Sequence, residues 1–202
     1  MGQKPFARKV HSTQPDDVMR GEETQLLGAL NDMTHQSIVC LPGTHSKWVH
    51  LTGLQINRFS TAMTGELFSL LRKQSILRHS IGKTDELHLS TFRDAVRRSA
   101  AAPEELMTAL FEVRAAGLLN PGAVDYAFST LSGLLLGAEF SSALSSDVEH
   151  VVLVGDPELT RIYAAGLEAI GVSSTQKDGA VAAVRGLSSV LGSLKLPSKV
   201  SV

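Results

Sequence analysis

The stretch SIVCLPGTHSKWVHLTGLQINRFST, residues 37–61, determines the fold class of this 202-residue chain. It holds three runs rich in β-branched and aromatic residues, separated by Pro42-Gly43 and by the tight turn Thr52-Gly53: residues 37–41, 48–51 and 54–61. Links as short as these join antiparallel neighbours, because a parallel return needs a long crossover. The stretch therefore predicts three antiparallel strands of one sheet.

The sequence on both sides of this stretch has the apolar spacing of helices. One helix is predicted before it, at residues 21–30, and four follow it: residues 65–77, 89–102, 103–118 and 123–144. The final third then alternates strands with helices, in the order 150–154, 157–170, 172–176 and 178–191, where Asp178 caps the last helix.

These elements predict an α/β fold in which a mixed sheet contains three antiparallel strands followed by a β-α-β-α unit. A helical insert at about residues 78–145 separates the two parts of the sheet. Residues 1–17 have no periodicity, and we expect them to be a loose lead-in to one domain over residues 18–202.

The composition excludes several classes of function. Nineteen Lys and Arg against twenty Asp and Glu give a net charge of -1, so no excess of positive charge attracts nucleic acid or an anionic membrane. The single cysteine, Cys40, excludes an internal disulfide and a multi-cysteine zinc site. No apolar run is long enough to span a bilayer, and residues 1–14 lack a signal-peptide core, which predicts a soluble cytoplasmic protein.

The link between the first two predicted strands carries more polar chemistry than a hairpin needs. It places Gly43, Thr44, His45, Ser46 and Lys47 in one short loop. Backbone N–H groups, two hydroxyls and an ammonium group would together bind phosphate oxygens, and the alternative is a polar hairpin whose lysine only solvates the turn. Zinc binding by His45 and His50 is disfavoured, because the sequence places no cysteine or carboxylate near them. A hydrolase that uses Ser46 and His45 is disfavoured because no Asp is evident to orient the histidine.

Three other places hold candidate residues. Glu22 and Glu23, after Arg20, either accept a proton from an attacking hydroxyl or form a dipole-stabilised first turn. Gly155-Asp156 follows a strand where α/β sheets bind ligands, although a plain strand-to-helix turn has the same sequence. Thr64-Gly65-Glu66 precedes a helix, either as its cap or as a contact to a substrate.

Several of these segments resemble the 2-dehydro-3-deoxygalactonokinase family, in the same order along the chain. They are VMRGEETQLLGAL, IVCLPGTHSKWVHL, INRFSTAMTGELFSLL, LSGLLLGAEF and LVGDPELTRIYAAGLEAIG with AVRGL, and the likeness runs from about residue 15 to residue 191. The resemblance implies phosphorylation of the 6-hydroxyl of 2-dehydro-3-deoxy-D-galactonate by ATP with Mg in galactonate catabolism. It also implies an actin/hexokinase/Hsp70-type ATPase fold, of which this chain would form one RNase-H-like half.

The resemblance also implies roles for the candidate residues. Glu22 or Glu23 would lie near the reacting hydroxyl, and residues 43–47 would contact the phosphates of ATP. Gly155 and Asp156 would lie near the adenosine. Apart from the resemblance, we expect Arg20, Thr64 and Glu66 to contact the sugar acid. No protein residue is assigned to the metal.

The family opens with a strand that carries Asp-x-Gly-Thr, and residues 1–18 contain no such motif. We therefore expect the chain to correspond to the C-terminal part of the family and to turn over slowly, since phosphoryl transfer needs charge neutralised from several sides. The alternative is a non-catalytic derivative that binds a nucleotide or a protein. An apolar face left uncovered predicts self-association into a homo-oligomer.

Overall fold

A mixed five-stranded sheet organises the part of the chain that the computed structural model describes, residues 11–13, 16–30, 36–82 and 86–193. Its strands are β3 (Gln36–Leu41), β4 (Ser46–Thr52), β5 (Gln55–Ala62), β6 (His150–Gly155) and β7 (Ser173–Asp178), after a separate short pair formed by β1 (His11–Thr13) and β2 (Asp16–Val18). The order across the sheet is β5-β4-β3-β6-β7. β3, β4 and β5 are antiparallel and β3, β6 and β7 are parallel, which confirms the predicted mixed sheet.

Seven α-helices are described around the sheet: α1 (Glu22–Ala29), α2 (Thr64–Lys73), α3 (Leu89–Ala101), α4 (Leu106–Leu119), α5 (Val124–Ala143), α6 (Pro157–Ala169) and α7 (Gly179–Ser193). Each lies where the apolar spacing predicts one. The helix predicted at residues 65–77 is shorter than expected, because α2 ends at Lys73 and a 3-10 turn, Ile76–His79, replaces its last part. Asp178 caps α7 as predicted, since its carboxylate accepts the N–H groups of Ala180 and Val181.

Most of the predicted lead-in lies outside the described residues. Within it, β1 and β2 pair in a short antiparallel ladder that the sequence did not predict. Asp17 in β2 accepts a hydrogen bond from the hydroxyl of Thr61 in β5, at 2.6 Å, so this part of the lead-in is attached to the edge of the sheet.

The sheet is covered on both faces, which explains why β6 is apolar throughout residues 151–154. Val152 and Val154 belong to a core formed with α1 and α7, whereas Val151 and Leu153 belong to a core formed with α3, α5 and α6. A third core lies among the insert helices α2, α3, α4 and α5. Alternate side chains of a strand point to opposite faces, so a strand buried on both has no polar side.

Glycines bring two pairs of helices unusually close. Gly133 and Gly137 of α5 face α3, where an added Cβ would lie 2.4 Å from the carbonyl oxygens of Phe92 and Val96 respectively. The spacing of four residues between these glycines predicts that another backbone can approach the helix closely, and the structure confirms it. Gly28 of α1 and Gly186 of α7 form a similar crossing, which was not predicted from the sequence.

Candidate functional site

The candidate site lies at one edge of the sheet, where the carboxyl ends of β3, β6 and β7 meet. Leu41 ends β3 and opens into the polar loop, and Gly155 ends β6 beside it. An added Cβ on Gly155 would lie 3.4 Å from the carbonyl oxygen of Pro42, and one on Gly179 would lie 2.9 Å from the Cα of Gly155. The structure thus brings two of the predicted segments, the loop and Gly155-Asp156, next to each other.

Lys47 points to the face of the sheet that carries α1 and α7, and it is 6% exposed. Its ammonium donates to the hydroxyl of Thr61 at 2.7 Å, and that hydroxyl donates to Asp17. The ammonium is therefore covered rather than in bulk water, and the Thr61 hydroxyl connects it to the Asp17 carboxylate. An ion close to a partly buried edge is screened less than a surface charge.

Ser46 points to the opposite face of the sheet and is fully buried. Its hydroxyl lies 2.6 Å from the hydroxyl of Tyr163 in α6, which donates to both carboxylate oxygens of Glu139 in α5 at 3.1 Å. The indole N–H of Trp48 donates to Glu139 at 2.8 Å. Ser46 and Lys47, which the sequence groups in one phosphate cradle, thus take part in networks in different layers.

Burial raises the pKa of Glu139, and hydrogen bonds from Thr64, Trp48, Tyr163 and Ser46 oppose that shift. The pKa of Tyr163 is raised well above its usual value, first by burial and then by the neighbouring Glu139 carboxylate. A carboxylate with this many donors around it can accept from each of them, which fixes the side chains that meet there.

The amino end of α2 closes the loop from its other side. The backbone N–H of Glu66 donates to the carbonyl of Thr44 at 3.0 Å, and the Glu66 carboxylate lies 2.5 Å from Nε2 of His45. An added Cβ on Gly65 would lie 2.5 Å from the carbonyl oxygen of Gly43, so this approach requires glycine. Thr64 is buried and bonds to Glu139. The structure therefore brings the MTGEL segment and the loop together.

Glu22 and Glu23 fold back on the chain that precedes α1. Glu22 accepts the backbone N–H of Arg20 at 2.6 Å, and Glu23 accepts that of Gly21 at 2.8 Å. Gly21 has a φ of 110°, a left-handed conformation that glycine adopts without strain. Glu23 lines a groove of about 470 Å³ together with Leu54. Leu54 follows the last residue of β4, whereas Lys47 lies near the first, so this groove is at the other end of the strand. Among the described residues the structure shows no contact between this acidic pair and the loop, so their shared site stays a prediction.

Asp156 caps α6, because its carboxylate accepts the N–H groups of Glu158 and Leu159 at 2.9 and 3.2 Å. This is the plain strand-to-helix turn that the sequence offered as the alternative. Its contact with adenosine stays a prediction, as do the contacts of Arg20, Thr64 and Glu66 with a sugar acid.

The outer surface of the loop is open. Thr44 and His45 are exposed, Gly43 has an ordinary negative φ, and the nearest atom of the described residues to an added Cβ on Gly43 is 3.9 Å away. The fold itself therefore does not require glycine at residue 43, whereas a ligand that approaches the backbone closely does. Among residues 11–13, 16–30, 36–82 and 86–193, no group of three or more His, Cys, Asp or Glu side chains is placed to hold a metal ion.

Three residues that contribute to this edge were not predicted from the sequence. Glu139 and Tyr163 form the buried network beneath Ser46, and Asp17 completes the one beneath Lys47. A lone carboxylate within the apolar run LSGLLLGAEF was the available signal for Glu139, because such a group is buried only with partners. Nothing in the sequence near Asp17 indicated its contact with β5.

Residues 8–190 match the family described as 2-keto-3-deoxy-galactonokinase. The chain belongs to this family. A curated member from Rhizobium meliloti (strain 1021), named as a 2-dehydro-3-deoxygalactonokinase, is 44% identical over 177 residues, which are 85% of this chain and 58% of the relative. A 2-dehydro-3-deoxygalactonokinase from Escherichia coli is 37% identical over 177 residues, 86% of this chain and 59% of the relative.

A solved structure of a family member from Sinorhizobium meliloti has the same fold, with a TM-score of 0.85 and 41% identity over 89% of this chain. The match covers 61% of that structure's chain. The chain thus spans about three-fifths of the length of the relatives that it matches. None of the described helices has the length and apolarity needed to cross a membrane.

Proposed function

We propose that this chain takes part in the transfer of a phosphoryl group from ATP to the 6-hydroxyl of 2-dehydro-3-deoxy-D-galactonate. The observation that carries the proposal is the loop at residues 43–47, which lies at the carboxyl edge of the sheet beside Gly155. Ligands of α/β sheets bind in that position. The names of the family and of its two curated relatives supply the substrate.

In this proposal the loop binds the terminal phosphates of ATP. The backbone N–H groups of Thr44 and His45 face the oxygens, and Lys47 contributes positive charge. The N–H of Gly43 donates to Ser46 within the loop. When bound, Mg would neutralise charge on the phosphates. Its ligands are left unassigned because the described residues offer no set of three for it. Gly155 and Asp156 lie on the adenosine side.

The acceptor would bind near the start of α1. Glu22, with Glu23 as the second choice, would accept the proton of the sugar hydroxyl, and Arg20 and Glu66 would contact the sugar acid. The strand order β5-β4-β3-β6-β7, with three antiparallel strands and two parallel ones, supports the further proposal that this sheet is one half of an RNase-H-like ATPase fold.

A coupled assay of ADP release in the presence of 2-dehydro-3-deoxy-D-galactonate tests the proposal. A reaction without the sugar acid serves as the blank. We expect release that depends on the sugar acid, together with ATP binding measured by calorimetry. Failure to bind ATP would contradict the proposal.

A second candidate is a non-catalytic protein that binds the nucleotide and does not turn it over. The observation that favours it is that both acidic side chains at the start of α1 are engaged by backbone N–H groups. ATP binding without release of ADP on addition of the sugar acid would support this candidate. The same assay therefore separates the two.

A further inference from the structure

We propose that Glu139, near the C-terminal end of α5, is a positioning residue for the phosphate-binding loop at residues 43–47. This inference rests on the proposed function and adds to it a buried group that touches neither nucleotide nor sugar acid. Glu139 is 5% exposed and lies at the point where β4, α2, α5 and α6 meet.

One connection from Glu139 reaches the loop through β4. Tyr163 donates to the carboxylate and lies 2.6 Å from the Ser46 hydroxyl. That hydroxyl in turn lies 3.4 Å from the backbone N of Gly43 and 3.5 Å from its carbonyl oxygen. Ser46 thereby closes the loop on itself, and Tyr163 holds Ser46 in the rotamer that does so.

A second connection reaches the loop through α2. The Thr64 hydroxyl bonds to Glu139 and fixes the first residue of the helix. The next two residues hold the loop directly, because Gly65 packs on Gly43 and the N–H of Glu66 donates to the Thr44 carbonyl. One carboxylate therefore anchors the loop from both sides.

Burial of the Glu139 carboxylate costs free energy, and that cost argues for a role beyond packing. A buried carboxylate is destabilising unless several donors satisfy it, and apolar residues of similar volume fill a core at least as well. The indole of Trp48 can only donate, so the oxygen that it meets must accept. The titratable groups that face Glu139 are Tyr163 from α6 and Cys40 from β3, both with a raised pKa.

The test compares two substitutions that remove the anchor with matched controls. Glu139→Gln keeps the shape of the side chain and loses two acceptor positions, and Thr64→Val removes only the hydroxyl. Thr64→Ser restores that hydroxyl. Ser99→Ala changes a buried serine of α3 whose hydroxyl has no hydrogen-bond partner among the described residues. The readouts are the Kd for ATP and, in the ligand-free protein, amide hydrogen exchange at Gly43 and Glu66, whose N–H groups donate to Ser46 and to Thr44.

We expect Glu139→Gln and Thr64→Val to raise both the exchange rate at these two amides and the Kd for ATP by about 10-fold, with both controls near wild type. Unchanged exchange and unchanged Kd in folded Glu139→Gln would overturn the inference and leave the proposed function intact. If Glu139→Gln does not fold, equal values for Thr64→Val and Thr64→Ser overturn it instead. Wild-type protein that binds no ATP would contradict the proposed function, and the exchange rates would still test the anchor.

Discussion

Ser46 and Lys47 are neighbours in the chain, and each anchors the candidate loop to a different layer of the molecule. The Ser46 hydroxyl is held above α5 and α6, while the Lys47 ammonium is held against β5 and β2. A ligand on this loop therefore contacts a segment whose position depends on both cores. The position of the exposed loop atoms therefore depends on two buried side chains, those of Ser46 and Lys47.

Removal of the Lys47 ammonium should weaken ATP binding. We expect Lys47→Ala to raise the Kd for ATP by about 10-fold or more, because a charge-assisted bond of about 1.5–3 kcal/mol is lost. Calorimetric titration measures this, with Lys73→Ala on the exposed surface of α2 as the control for net charge. Equal affinities for the two variants would remove Lys47 from the phosphate site.

Glu22→Gln should lower turnover and leave folding almost unchanged. The amide oxygen of Gln can still accept the N–H of Arg20, so the start of α1 keeps its hydrogen bond. A lost general base typically lowers kcat by about 10²–10⁴-fold. The coupled ADP assay and a thermal melt check the two halves of this prediction, with Glu104→Gln as the control. Wild-type kcat in the Glu22 variant would exclude it as the base.

The burial of Glu139 should make stability depend on pH. A carboxyl group whose pKa is raised in the folded protein adds stability below its unfolded value of 4.5, and this stability is lost as pH rises through the folded pKa. Glu139→Gln cannot titrate. We therefore expect the unfolding free energy of wild type relative to Glu139→Gln to fall between pH 4 and pH 8, measured by urea unfolding. A difference that rises with pH would mean that the donors outweigh burial.

At the scale of elements, the patterns of apolar residues predicted the helices and strands well, and the contacts at the site less well. The run from residue 37 to residue 61 predicted β3, β4 and β5. Its alternation of Leu54, Ile56 and, one residue late, Phe59 predicts a bulge, which the structure shows as a register shift between His50 and Leu51. Glycine spacing in α5 predicts the close approach of another backbone, and the structure shows that this backbone is α3. Gly28 and Gly186 were missed, because each helix holds one isolated glycine and the pair exists only once α1 crosses α7.

The same physical limit explains the candidate site. The residues around Gly43 identified the loop from the sequence, because the residue types that indicate it are adjacent in the chain. The partners of Ser46 and Lys47 come from positions 17, 61, 139 and 163, and no local pattern links them. Which face of a strand each loop residue would take also depends on where β4 begins, and the structure starts it two residues earlier than predicted.

Crowding of the crossing between α3 and α5 should destabilise the fold. In Gly137→Ala the new methyl group would lie 2.4 Å from the carbonyl oxygen of Val96, so the two helices must separate. We expect a loss of about 1–3 kcal/mol in the free energy of unfolding. Urea denaturation measures the loss. The control is Gly192→Ala near the end of α7, where an added Cβ meets no atom of the described residues outside its own helix within 4 Å. Equal stability of both variants would show that the crossing is not tight.

At the scale of the whole molecule, α7 presents an uncovered apolar stripe. Its inner side packs on α1, and four large side chains face outward at helical spacing, with exposures from 47% to 67%: Val181, Val184, Leu187 and Leu191. Apolar patches of this kind favour association. The predicted homo-oligomer therefore has a candidate surface.

We expect the protein to self-associate in a concentration-dependent way, and the double substitution Val184→Lys with Leu187→Lys to reduce it. Sedimentation velocity over a range of concentrations measures the association. Met107→Lys on α4, also an exposed position, serves as the control for added charge. A wild-type protein that sediments as a monomer throughout the range would contradict the prediction.

Because Cys40, the sole thiol of the chain, is buried, the rate at which it reacts can report on motion of the sheet. It lies in β3 at the centre of the sheet with no exposed surface, and burial raises its pKa well above the usual value. Alkylating reagents attack the thiolate, so labelling should wait for rare openings of the central strand. The half-life of labelling would then report how often the central strand opens. A nucleotide that stabilises this edge of the sheet would lengthen that half-life, and no added tag is needed to measure it.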